Sequence, residues 1–93
     1  PVTYALMQNY PNPFNPTTTI KYQLPENQFV KVEIFNTLGE NVNTLVNQTQ
    51  NAGEYAISWN GKNSSGQSLA SGTYFYRIKA GSFVEVKKMM MIK

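Results

Sequence analysis

From Thr17 onward the chain alternates apolar and polar positions, strand after strand. In Thr17 to Pro25, Ile20, Tyr22 and Leu24 alternate with Thr19, Lys21 and Gln23, the period of two that a half-buried strand requires. Pro25 lacks a ladder donor and ends the run. In "FVKVEIF", Val30, Val32 and Ile34 share one face, and Lys31 and Glu33 take the other with Phe29 and Phe35 framing it. Gly39 in "NTLGEN" is free to adopt positive φ and close a hairpin into a strand around Val42 to Val46. There Val42, Leu45 and Val46 break strict alternation, as a bulge or an edge would. "GEYAISW" aligns Tyr55, Ile57 and Trp59, and "TYFYRIK" aligns Tyr74, Tyr76 and Ile78; these two runs are expected to face each other across the core. Ala80 to Ser82 then make a tight turn into the last strand.

No segment sustains a 3.6 period. With a further edge strand over residues 4–8, about seven strands fall within 93 residues, the pattern of an all-β immunoglobulin-like or fibronectin III-like sandwich. A barrel stays open as the alternative. Residues 1–16 are expected as an extended, Pro-rich lead-in and residues 17–93 as the sandwich. Pro11, Pro13 and Pro16 hold the lead-in extended, with Phe14 as its anchor on the domain. The Pro13 to Pro16 spacing matches a polyproline ligand, but the segment runs directly into a strand.

Composition narrows the chemistry. The chain has no Cys, His or Asp, and its acidic residues are Glu26, Glu33, Glu40, Glu54 and Glu85, spread over separate elements. That removes the Ser-His-Asp and Cys-His constellations and the usual metal ligands, so no enzyme, metal or cofactor is expected. The net charge of +3 is dispersed except for Lys87, Lys88 and Lys93, too sparse for a nucleic-acid stripe. No apolar run reaches the roughly 20 residues of a membrane span. Pro1 is not a translation start, so the chain is expected to be a piece of a longer protein.

The polar loop Trp59 to Gly72 spaces oxygen side chains around glycine as a Ca2+ loop does, but Asn60, Asn63, Ser64 and Ser65 are neutral where hard cations need carboxylates. A structural role is expected, with Gly61 and Gly66 at unusual φ and Leu69 returning to the core. Trp59 and the tyrosines sit at core-facing positions, whereas Phe75, Phe29 and Phe35 lie on the mixed face and suit a surface patch. In the last strand, Val84, Val86, Lys88, Met90 and Ile92 alternate with Glu85, Lys87, Met89 and Met91. A bulge near Lys87 and Lys88 is expected there, together with an edge open to strand addition if nothing covers it.

As a set, "YPNPFNPTTTIKYQLP", "VKVEIFNTLGENV", "GEYAISWNGKNSSGQSLASGTYFYRIKAG" and "KKMMMIK" resemble the C-terminal sorting domains of the bacterial type IX secretion system, in order and spacing from about Leu6 onward. The resemblance implies an immunoglobulin-like sandwich at the end of a large exported protein of the Bacteroidota. The outer-membrane translocon and sorting machinery would recognise it, carrying an upstream cargo domain from the periplasm to the cell surface or the medium. It places the family's Gly-x-Tyr on Gly72 and Tyr74, its opening Asn-Pro on Asn12 and Pro13, and its basic terminal strand on Lys87, Lys88 and Lys93. Met89, Met90, Met91 and Ile92 complete the expected recognition surface. A related sandwich, the flagellar hook capping protein's, usually carries Trp-Asp-Gly where this chain has Asn60, with a further acid near Asn63. The competing expectation is a carbohydrate-binding or spacer module of a secreted glycoside hydrolase, with Trp59 and Phe75 as glycan contacts.

Overall fold

The computed structural model describes all residues 1–93 and contains seven strands and no helix. They are β1 (Ala5–Leu6), β2 (Thr18–Leu24), β3 (Gln28–Phe35), β4 (Asn41–Gln50), β5 (Gly53–Trp59), β6 (Gly72–Ala80) and β7 (Phe83–Met91). A three-stranded sheet in the order β1-β2-β5 packs on a four-stranded sheet in the order β4-β3-β6-β7, and all strand pairs are antiparallel. The expected immunoglobulin-like sandwich is the observed one.

Period-two patterning decides which side chains meet. Ile20, Tyr22 and Leu24 from β2, Val30, Val32 and Ile34 from β3, and Tyr74, Tyr76 and Ile78 from β6 are all buried in one cluster. Trp59 of β5 packs edge-on against Tyr74 of β6 at 5.4 Å between ring centroids, so the two runs do face each other. Tyr55 and Ile57 are only partly buried because β5 is an edge strand. Tyr74 donates to the carbonyl of Ala70 at 2.6 Å, closing the corner before β6 as buried tyrosines commonly do in such sandwiches.

The strand expected at Val42 to Val46 is longer and is both an edge and bulged. Val32 pairs with Val46 and Glu33 with Thr44, which leaves Leu45 as an extra residue; Ile34 pairs with Asn43 and Phe35 with Asn41, which leaves Val42 as another. These are two of the three residues that spoil the alternation in sequence.

Two expectations need correction. β7 has no bulge near Lys87 and Lys88: its pairing with β6 is continuous from Phe83 opposite Ala80 to Met91 opposite Gly72. With a fixed period of two, the whole strand must present one set of side chains inward. Phe83, Met89 and Met91 pack into the core and carry Glu85 and Lys87 with them. Those two tolerate the inward face because at a sheet edge their charged ends reach water and each other, 3.2 Å apart.

The second concerns only the boundary at residue 16. Residues 1–16 are extended, with an edge strand at Ala5–Leu6 and Phe14 anchored on the domain as expected, but the sandwich begins before Thr17: Leu6 and Phe14 belong to the same core cluster as β2 and β6, and Asn9 is buried. The segment pairs with β2 at Ala5 and Leu6 and again at Tyr10, then crosses to the other sheet, where Phe14 bridges to Met91 in parallel.

Candidate functional site

The crossing of the lead-in defines the most built-up surface of the molecule, at the far end of the β6–β7 hairpin. Register places Gly72 opposite Met91 and Tyr74 opposite Met89, so the residues expected to carry recognition are brought together. They then divide into two layers. Tyr74, Met89 and Met91 are buried and hold the strand down. Met91 lies over Gly61, where a Cβ would stand 2.6 Å from its Sδ; Gly61 has φ of 74°, a conformation side chains resist. Lys88, Met90, Ile92 and Lys93 are exposed and form the outward layer, while Lys87 is half-buried against Glu85.

The edge of this half-strand is not open. Phe14 N–H donates to the carbonyl of Met90 at 3.0 Å, and Ile92 N–H donates to the carbonyl of Phe14 at 2.8 Å. Met90 N–H donates to Asn12 Oδ1 at 3.0 Å, and Gln8 Nε2 donates to the carbonyl of Lys88 at 2.8 Å. The lead-in supplies the partners that a further strand would supply, so the condition for an open terminal edge, that nothing covers it, is not met here. Tyr76 fixes the lead-in from below: its hydroxyl donates to the carbonyl of Met7 at 2.7 Å and accepts from Asn9 N–H at 2.8 Å. Burial, joined by the nearby Glu85 charge and opposed by the Asn9 bond, pushes this phenol up to about 12.

Sequence reasoning found Phe14 and the Asn12-Pro13 pair but not their partner strand. Nothing periodic links residue 14 to residue 91. The roles of Gln8 and Asn9 had no signal at all, being single polar side chains in an irregular segment.

A second feature lies on the outer face of the four-stranded sheet. Glu33 and Arg77 pair across β3 and β6, with Arg77 Nη2 donating to Glu33 Oε1 at 2.9 Å. The guanidinium lies 4.7 Å from the centroid of the Phe35 ring. Burial pushes the Glu33 carboxyl up, but hydrogen bonds from Arg77 and Asn41 and the charges of Arg77 and Lys31 outweigh it and hold the group below the usual carboxylate value. Around the pair, Phe35, Thr37, Phe75, Arg77 and Val86 line an open cleft of about 300 Å3. Phe75 is therefore half-exposed on a mixed floor, as its face suggested, and Phe29 is 51% exposed at the far end of β3.

Trp59 is 1% exposed, and its indole N–H donates to the carbonyl of Lys62 at 2.9 Å. As a glycan contact it is corrected: the indole is enclosed in the core, with Phe14 and Tyr74 packed against it. In the adjacent polar loop, Asn63 Oδ1 accepts from the N–H groups of Ser65 and Gln67, and Asn60 Oδ1 accepts from Lys62 N–H. These side-chain oxygens terminate backbone donors, as Asx turns do. Gly61 and Gly66 have positive φ and Leu69 packs on the core, as expected. No group of three or more His, Cys, Asp or Glu side chains comes together.

Three solved structures share this architecture. Dimeric latent PorU from Porphyromonas gingivalis superposes with a TM-score of 0.76 at 20% identity, over 97% of this chain and 9% of that one. PorZ, described as an essential bacterial surface component of the type IX secretion system of the same organism, gives 0.64 at 21% identity, over 97% of this chain and 11% of that one. FlgD from P. aeruginosa gives 0.62 at 27% identity, over 80% of this chain and 57% of that one. The chain thus spans about a tenth of the two P. gingivalis proteins. No curated protein sequence matches it. Residues 12–82, from the lead-in's Asn12 to the β6–β7 turn, match the profile of the FlgD Ig-like domain, and the chain belongs to that family.

Proposed function

We propose that this chain is a non-catalytic sorting module that delivers the protein carrying it to the type IX secretion machinery for passage across the outer membrane. The cargo would lie upstream in the same polypeptide and reach the cell surface or the medium. The carrying observation is the two-layer end of β7. Tyr74, Met89 and Met91 are sunk in the core, and Lys88, Met90, Ile92 and Lys93 are displayed on a strand clamped by the lead-in. A rigid, basic and apolar strip suits recognition by a protein partner, because little ordering entropy remains to be lost on binding. The sandwiches of PorU and PorZ and the sequence resemblance to sorting domains support the same assignment.

Surface variants test it better than truncation, since removing the last residues would also remove Met89 and Met91 from the core. Residues 1–93 fused behind a periplasmic reporter in a type IX-competent host should export it. Lys88→Glu with Lys93→Glu, and separately Met90→Ser with Ile92→Ser, should leave the reporter in the periplasm while the domain keeps its thermal melt. Undiminished export of both double variants would remove the terminal strip from the mechanism. The burial of Trp59 leaves the carbohydrate-binding alternative with Phe75 alone.

A further inference from the structure

We propose that two copies of this chain associate through the open half of β7, antiparallel about a two-fold axis at Val86, joining their four-stranded sheets into one. This goes beyond the sorting role and uses the first half of the strand, sharing only Lys88 with the terminal strip.

The lead-in covers β7 only from Lys88 onward. Antiparallel pairing with β6 leaves alternate residues of β7 with N–H and C=O directed away from the sheet, and the bonds at Lys88, Met90 and Ile92 show that these are the even positions. Val84 and Val86 share that orientation, and no loop or side chain of the chain bonds their backbone. Their side chains stand outward at 53% and 52% exposure. A straight, apolar, unpaired edge is the kind that natural sheets cover.

The occupant follows from the charges. About an axis at Val86, each Glu85 faces Lys87 of the second copy, Val86 faces Val86, and Val84 faces the aliphatic stem of Lys88. A single inward charge on an edge strand repels its own copy and protects the edge. A Glu and a Lys two residues apart, centred on the axis, instead meet their opposites, and opposite charges across strands stabilise the pairing. The two Val86 units can exchange both backbone bonds, and Lys88 N–H can reach the carbonyl of Val84, with nothing displaced. The Lys88 carbonyl already accepts from Gln8 and would be shared. Past Lys88 the lead-in stops the pairing, so the interface is short and the association weak. The other edge of the same sheet, β4, carries two bulges and does not present such a ladder.

Sedimentation equilibrium of residues 1–93 from roughly 10 μM to about 1 mM, the range of weak association, should show a monomer passing to a dimer. Val86→Pro removes an N–H that points away from β6, so the monomer should fold and the dimer should weaken by about tenfold or more. Glu85→Lys and Lys87→Glu should each weaken it similarly, and the double reversal should restore it. A monomer at every concentration, a dimer indifferent to Val86→Pro, or a double reversal as weak as the single ones would overturn the proposal. Should Val86→Pro unfold the chain by circular dichroism, the charge set decides alone, because both positions are solvent-accessible. No secretion machinery is present in this measurement, so its failure and the failure of the sorting role are separate results.

Discussion

The two edges of the four-stranded sheet solve the same problem in different ways. β4 is bulged twice, and it exposes Thr44 between the bulges and Asn47, Gln48 and Thr49 beyond them; its irregular backbone offers no ladder for another strand. β7 is unbulged, turns Val84, Val86 and Met90 outward, and relies on a segment nearly eighty residues away to cover its second half. One edge is protected by its own sequence and the other by a long-range contact. The second kind of protection is removable.

Phe14→Ala should have the largest effect. It empties a fully buried ring position between Trp59 and the end of β7, and losses of about 3–5 kcal/mol are usual for such truncations. Urea unfolding should show that drop, with β7 amides exchanging before those of β3. If β7 stays as protected as β3, the covering role of the lead-in is wrong.

Tyr76→Phe comes next, at about 1–3 kcal/mol, because it strands the Asn9 N–H and the Met7 carbonyl. It also carries a pH signature. The phenol is raised from 10.0 to about 12 in the folded chain, so its contribution is complete below the unfolded value and is lost as pH rises through the folded one. The melting temperature of the native chain should therefore fall across pH 10 to about 12, and that fall should be shallower in Tyr76→Phe.

Asn12→Ala removes one exposed acceptor from Met90 N–H and should cost about 0.5–1.5 kcal/mol, visible as faster exchange at Met90 and not at Val32. On β4, Thr49→Lys should stay within about 0.5 kcal/mol of the native chain, since that edge is already exposed and irregular. A large loss there would mean that β4 is covered by something after all.

The same contrast separates what was legible in the sequence from what was not. β2, β3 and β6 are strictly alternating, and Ile20, Val32 and Tyr76 are buried as their positions imply. Val42 and Leu45 mark the bulges of β4 because an extra residue per bulge necessarily breaks a period of two. β7 misled for a physical reason: its even positions are the more apolar, yet the odd face turns inward, since Met91 fits the space beside Phe14 and Gly61 at one end and Phe83 stacks on Tyr4 at the other. Composition by face does not register the shape of the space to be filled. Nor does it register a clamp: Asn12 and Gln8 each reach the distant backbone of β7 through one hydrogen bond, and Asn9 bonds Tyr76 and Thr18, contacts that leave no periodic trace. The residues of the terminal strand could be named from the sequence, but which of them are buried anchors and which are displayed could not.

The parallel bridge between Phe14 and Met91 also gives the domain a mechanical character. Tension applied between its first and last residues pulls the two paired segments past each other along their length. The three hydrogen bonds that join Asn12 and Phe14 to Met90 and Ile92 are then strained together, in shear, rather than opened one after another like a zipper. A load passed through the chain would meet its resistance in the first and last segments of the polypeptide, before it reached the pairing of β3 with β6 between them.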